Sequence, residues 1–326
     1  MAKELVFPGL RNVDDAAALP AAEQLDLAKS LGAAGLLVAA KKLLQPLLCH
    51  DALGAQARRE LLINDFSLRG NFLSGFEAFC VDRQHQRRLL DKIGVPETAE
   101  TRFFGVDVLA WRSSGHRRTL FFFTGSALSN LPRIAMLHQT FKNLNCNVVY
   151  VRDHQKLWHM AGLAGMASVE PLGVTKELRH IHQTLRGTDI VTMGPSEGGY
   201  AALRYGLLLG ASATLGFSAY TNNVMNKADL PNYPAVKRLH DHNPLLLEDM
   251  LPLYAEATSA PKVTLCYGDD HQVDTRHASR MASVPGLQLL PVPGLAEHDT
   301  LKHFQSTGGM RALMDTFLSS SCMLSA

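Results

Sequence analysis

The chain has 326 residues, of which 46% are hydrophobic and 19% charged, and its formal net charge is +2. That length predicts one large domain with a smaller appendage, and the apolar share supplies an ample core. The near-neutral, scattered charge gives no polyanion signal, so nucleic-acid binding is not expected.

Five cysteines (Cys49, Cys80, Cys146, Cys266 and Cys322) share no metal-ligand spacing, and several sit in apolar runs. Buried thiols in a reducing compartment fit that distribution. The opening MAKELVFPGLRNVDDAAALP lacks the basic-then-apolar order of a signal peptide, and no apolar run reaches about 18 residues. The expectation is a cytoplasmic protein with no membrane span.

Residues 20 to about 94 read as wholly helical, with apolar positions at helical spacing throughout. Gly35 and Gly70 each separate two apolar helical runs, 35 residues apart. This resembles two degenerate tetratricopeptide-type hairpins; generic αα-hairpins fit equally well. Two such units cannot bury their faces alone, which predicts docking on the second domain or a protein partner bound through these helices. Pro96 and the following ETAET read as a linker. The expected division is 1–95 helical and 96–326 a second domain.

From Phe103 the period changes. FFGVDVLAW and RTLFFFTG read as strands flanking the turn Ser113-Ser114-Gly115-His116, a hairpin-like pair suggesting an antiparallel edge strand. Then come a helix over 131–143, a strand over 147–151, a helix over 173–185 and a strand over 189–193. Further strands are expected over 211–218, 262–267 and 287–292, and a closing helix over 303–318. Strands alternating with helices of 10 to 15 residues predict an α/β fold, a mostly parallel sheet with helices on both faces. The Asn-, Pro- and His-rich stretch of about 220–260 breaks this pattern and reads as a lid insertion. Its Tyr220, Met225, Tyr233, Leu246 and Tyr254 suggest a partly apolar pocket, or ordinary contacts with the core.

The most informative stretch is Thr188 to Leu209, TDIVTMGPSEGGYAALRYGLLL. A β-branched run meets Gly194-Pro195-Ser196-Glu197-Gly198, and a small-residue helical pattern follows at once. Strand, tight turn and helix is the context that makes Gly-x-Ser-x-Gly a nucleophile motif. Gly194, Gly198 and Gly199 let the two backbones approach, and the Glu197 amide would open a helix N-terminus suited to an oxyanion.

A serine needs a base, and the base needs an orienting acid. The strand KVTLCY is followed by Gly268-Asp269-Asp270-His271-Gln272-Val273-Asp274, and LQLLPV by Pro293-Gly294-Leu295-Ala296-Glu297-His298-Asp299. Serine, acid and histidine in that order resemble an α/β-hydrolase over roughly the last two-thirds of the chain. The resemblance implies Ser196 as nucleophile, His298 as base, and Asp270 as acid through an Asp-x-x-V-like turn. Asp274 is the alternative acid and also reads as a helix cap; Asp269 is a third. It implies an oxyanion hole from the Glu197 amide and one after an early strand, Ser126 or next Ala127, although Thr124-Gly125 replaces the family's His-Gly pair.

The implied activity is a serine hydrolase acting on an ester, thioester or amide of small-molecule or acyl type, with acyl transfer as a sub-case. No cofactor and no metal is expected. The competing reading is a catalytically silent hydrolase-like scaffold acting through its N-terminal helices. A nucleotide-dependent enzyme is disfavoured because Gly194 to Gly199 lacks the Lys-Ser/Thr of a P-loop.

Overall fold

The computed structural model describes residues 15–33, 37–54, 56–57, 60–61, 76–79, 108–113, 117–125, 131–153, 158–159, 171–222 and 248–320. The chain falls into two compact units, Met1–Ser74 with Asn130–Gln139, and Gly75–Ser129 with Thr140–Ala326.

The first unit holds α1 (Ala21–Ala33) and α2 (Leu37–Leu47). Leu25, Ala28 and Leu31 on α1 recur at three-residue spacing, and Ala40, Leu43, Leu44 and Leu47 form the corresponding stripe on α2. These stripes bury against each other, as amphipathic helices must. Arg133, in α3 (Leu131–Phe141), pairs with Glu60 at 3.4 Å within this unit. The second expected hairpin, around Gly70, lies outside the described residues.

The second unit is built on one eight-stranded sheet. Its strands are β1 (Phe76–Phe79), β2 (Val108–Trp111), β3 (Arg118–Phe123), β4 (Asn147–Val151), β5 (Asp189–Pro195), β6 (Ala213–Phe217), β7 (Lys262–Gly268) and β8 (Leu287–Val292). Their order is β1-β2-β4-β3-β5-β6-β7-β8, and only the pairs made by β2 are antiparallel. The middle strands are apolar at nearly every position because both faces are covered. Phe121, Phe123, Val149 and Val151 share a cluster with α4 (Pro171–Thr184) and α5 (Glu197–Leu209). The alternate residue Phe122 meets Phe141 and Tyr150 instead, at ring separations of 5.7 and 5.8 Å. The remaining helices are α6 (Met250–Glu256), α7 (Gln272–Arg280), α8 (Thr300–Ser306) and α9 (Met310–Ser320).

Three expectations need correction. Residues 20–94 are not wholly helical, since Phe76–Phe79 pair with β2. The FEAF segment is short enough that helical and strand periods look alike. Nor do β2 and β3 form a hairpin, because β4 lies between them and β2 is not the edge. The closing helix is two helices, broken at Gly308, whose φ of 76° is left-handed. Of the residues offered as pocket lining, Tyr254 is core: it is buried and its hydroxyl donates to the Leu203 carbonyl at 2.7 Å. Met225, Tyr233 and Leu246 lie outside the described residues.

Candidate active site

Ser196 stands between β5 and α5 with φ 52° and ψ −121°, backbone angles that a non-glycine residue adopts only under constraint, at a cost of about 1–3 kcal/mol. The constraint comes from both flanks. The Ser196 amide donates to the Phe217 carbonyl of β6 at 2.8 Å, and its own carbonyl accepts from the Gly199 amide at 2.9 Å. A Cβ on Gly198 would lie 2.2 Å from the Phe123 carbonyl oxygen, and one on Gly194 would lie 2.3 Å from the Gly198 oxygen. Side chains at either position would force the strand ends and the helix apart.

His298 comes from the loop after β8, where Gly294 turns the chain at φ 72°. The Gly294 amide donates to Asp269 Oδ1 at 2.8 Å, so Asp269 fastens the histidine loop to the loop after β7. The imidazole Nε2 lies 2.9 Å from Ser196 Oγ, and Nδ1 lies 2.5 Å from Asp274 Oδ1.

The acid beside His298 is therefore Asp274 and not Asp270, which is exposed and joins no hydrogen bond or ion pair among the described residues. Strand β7 runs on to Gly268, so Asp269 and Asp270 fall in the turn itself. Asp274 sits in the first turn of α7 on the same inward stripe as the buried His277 and Ala278, three and four residues on. Nor is Asp274 the helix cap. That place belongs to His271, whose Nδ1 accepts from the Asp274 amide at 3.2 Å.

The charges reinforce one another. Burial acts to lower the basicity of His298, but the hydrogen bond and charge of Asp274, with Glu197 and Asp299 behind them, outweigh it and raise its pKa above 6.5. Burial likewise opposes the ionised Asp274, yet the hydrogen bond and charge of His298 hold its pKa below the usual value.

Glu197 opens α5 with its carboxylate buried, and the first amides of a helix have no intrahelical acceptor. A Cβ on Gly125 would lie 2.8 Å from the Pro195 carbonyl oxygen, which brings the end of the β3 loop against the Ser196 turn. Ser126 and Ala127 follow it outside the described residues.

His271, Asp274 and His298 bring three potential metal-ligand atoms within 4.8 Å of one another. The 2.5 Å between His298 Nδ1 and Asp274 Oδ1 is the spacing of a hydrogen bond. Two ligands each about 2.0–2.2 Å from one ion would stand farther apart, so these atoms as placed share a proton.

Sequence reasoning offers Tyr220 as pocket lining but misses the aromatic wall it forms with Trp158 and His277 around His298. Tyr220 stacks on it with centroids 5.3 Å apart, and Trp158 stacks on Tyr220 at 4.9 Å. His277 meets the Tyr220 ring edge-on at 5.1 Å. The His277 Nδ1 accepts from the Thr221 amide at 3.1 Å, which requires the neutral ring. Burial, with His298, Arg276 and Arg280 nearby, overcomes the charge of Asp274 and lowers the His277 pKa to about 4. No pairwise spacing signals this wall; the stripe of Asp274, His277 and Ala278 was the one legible hint.

Serine, acid and histidine follow β5, β7 and β8 of a mostly parallel sheet with one reversed inner strand. This is an α/β fold with a mostly parallel sheet and helices, as the resemblance to the α/β-hydrolases implies. No family model and no curated protein matches the sequence. Solved structures similar to this chain include MenH from S. aureus, 14% identical, with 66% of this chain and 98% of that one covered at a TM-score of 0.46. A lipase-esterase related protein from Clostridium acetobutylicum is 16% identical over 64% of this chain and 98% of that one, with a TM-score of 0.46. The capsule O-acetyltransferase of Neisseria meningitidis serogroup A is 12% identical over 64% and 92%, also at 0.46. Among the described residues no helix is long and apolar enough to cross a membrane.

Proposed function

We propose that the protein is a serine hydrolase that cleaves an ester, thioester or amide through an acyl-Ser196 intermediate. The observation that carries this is the continuous hydrogen-bonded line from Ser196 Oγ through both nitrogens of His298 to Asp274 Oδ1, 2.9 and 2.5 Å, at a strained strand-to-helix turn.

In this reading Ser196 Oγ attacks the substrate carbonyl carbon while His298 Nε2 takes the hydroxyl proton. Asp274 holds the Nδ1 tautomer and stabilises the imidazolium that forms. The carbonyl oxygen becomes an oxyanion facing the Glu197 amide and an amide of the loop after β3, Ser126 or Ala127. Collapse expels the leaving group, which takes the proton from Nε2 and leaves the acyl chain on Ser196. Water, or an alcohol in the acyl-transfer variant, then gives its proton to Nε2 and attacks the acyl carbon, and Ser196 Oγ departs, taking that proton back from Nε2. Tyr220, backed by the buried Trp158, stiffens the imidazole and supplies an apolar flank for a small acyl substrate.

The test is labelling with a fluorophosphonate probe, followed by a panel of p-nitrophenyl esters of increasing chain length. Labelling of the native chain, lost in Ser196→Ala with the fold intact, is the expected result. An unlabelled native chain, or label that survives Ser196→Ala, overturns the reading.

A further inference from the structure

His159 has no part in the triad, yet it is buried, and it sits in an unusual backbone. It and Trp158 both have φ of 57°, the left-handed region that non-glycine residues seldom occupy and whose occupation must be held by other contacts. Those contacts run to the end of β3. The His159 amide donates to Asp153 Oδ2 at 3.1 Å, the Asp153 amide donates to Thr124 Oγ1 at 3.2 Å, and the Tyr205 hydroxyl donates to the His159 carbonyl at 3.2 Å. Phe123 meets the imidazole edge-on at 5.5 Å.

The ring itself makes one hydrogen bond. Its Nε2 lies 3.0 Å from the Thr124 carbonyl oxygen. A carbonyl can only accept, so Nε2 carries the proton and His159 is the donor. Its Nδ1 is buried with no hydrogen-bond partner among the described residues. Leaving such an atom unpaired is destabilising, a cost that a plain apolar residue of the same shape would avoid. The histidine is expensive as filler, and its Nε2 donation is the feature an apolar replacement lacks.

What it holds matters because of where Thr124 lies. In a trans peptide the carbonyl and the next amide point in opposite directions. Anchoring the Thr124 oxygen on His159 therefore turns the Gly125 amide away from the ring. On the other side, Gly198 lies so close that a Cβ there would be 2.8 Å from the Thr124 carbonyl carbon and 2.9 Å from the Gly125 nitrogen. The peptide is clamped between the histidine and the first turn of α5.

We infer that His159 is a positioning residue for the Ser196 turn. Its Nε2–H sets the Thr124-Gly125 peptide plane that packs against Gly198 and Pro195 on either side of Ser196. This rests on the acyl-serine reading of Ser196.

The experiment compares His159→Leu, His159→Gln and His159→Asn in the full chain, with p-nitrophenyl acetate as substrate and phenylboronic acid as a reversible tetrahedral adduct of Ser196. The Gln amide nitrogen reaches the place of Nε2; the Asn nitrogen reaches only that of Nδ1. Expected for Leu and Asn is a kcat loss of about tenfold to a hundredfold, below the 10²–10³ of deleting a donor outright, with KM within about threefold. Affinity for phenylboronic acid falls in step with kcat, and Gln restores most of both. A folded Leu or Asn variant with kcat within about twofold of native, or a loss that Gln fails to recover, overturns the inference. Should Leu not fold, Asn and Gln decide alone. If Ser196→Ala abolishes turnover while the His159 variants behave as native, the positioning role fails and the triad stands. Turnover surviving Ser196→Ala removes the triad itself.

Discussion

The two halves of the site are held in different ways. The serine half is local: β5, Ser196 and α5 are contiguous, and the glycines that let them meet lie within five residues of Ser196. The acid-base half is assembled from two loops, with Asp274 and His298 separated by 24 residues and joined by one hydrogen bond. The first half is set by backbone sterics, which leave a signature in sequence. The second depends on helix rotation and loop reach, which do not. The serine half should accordingly break through its backbone, and the acid-base half through its side-chain chemistry.

The largest effect is expected at the junction of the halves. Ser196→Ala and His298→Ala should each lower ester kcat by about 10⁴-fold or more with the melting temperature little changed, measured by steady-state kinetics and thermal denaturation. Next comes the choice of acid. Asp274→Asn should cost about 10³–10⁴ in kcat, whereas Asp270→Asn should stay within about twofold, since Asp270 is exposed and outside the hydrogen-bonded line. Comparable losses from the two would erase the distinction.

The serine half is probed by Gly198→Ala. Its Cβ would meet the Phe123 carbonyl oxygen at 2.2 Å, so backbone must move and stability should fall by about 1–3 kcal/mol in urea denaturation, with turnover lost as well. No side-chain change at Asp274 should show that combination.

Two pH effects are smaller. His298 must be neutral to accept the Ser196 proton, and its pKa is raised above 6.5, so the acid limb of kcat/KM should have its midpoint above 6.5. Removing the Asp274 charge in Asp274→Asn should move that midpoint downward in whatever activity survives. A midpoint that does not move would mean that Asp274 is not what raises it.

His277 gives the last test. Its folded pKa, about 4, lies below its unfolded value of 6.5. As pH falls below 6.5 the unfolded chain takes up a proton that the folded chain refuses, so stability present above 6.5 is lost progressively down to about 4. The full loss is on the order of 3 kcal/mol, from about 1.4 kcal/mol per pKa unit. His277→Gln should flatten that part of the stability–pH curve, read by urea midpoints.

How much was legible follows from the same contrast. The strand-turn-helix at Ser196 and the alternation of strands with helices were readable because each rests on a repeat of two or about four residues. The β2–β3 hairpin was misread because adjacency in sequence suggested pairing, whereas the structure inserts β4 between them. The loop pattern favours Asp270, whereas the rotation of α7 carries Asp274 inward with Ala278 and sets it beside His298. Phe76–Phe79 lacked the length to declare its period. His159, with neighbours chosen entirely by tertiary packing, left no mark.

Sequence alone determined the class of the fold and the turn that presents Ser196, because those follow from hydrophobic periodicity and from where a Cβ can fit. Only the tertiary structure decided which carboxylate meets His298, which rings wall it in, and which histidine grips the Thr124 carbonyl. Those choices depend on directions in space between segments far apart along the chain, and one-dimensional spacing does not encode direction.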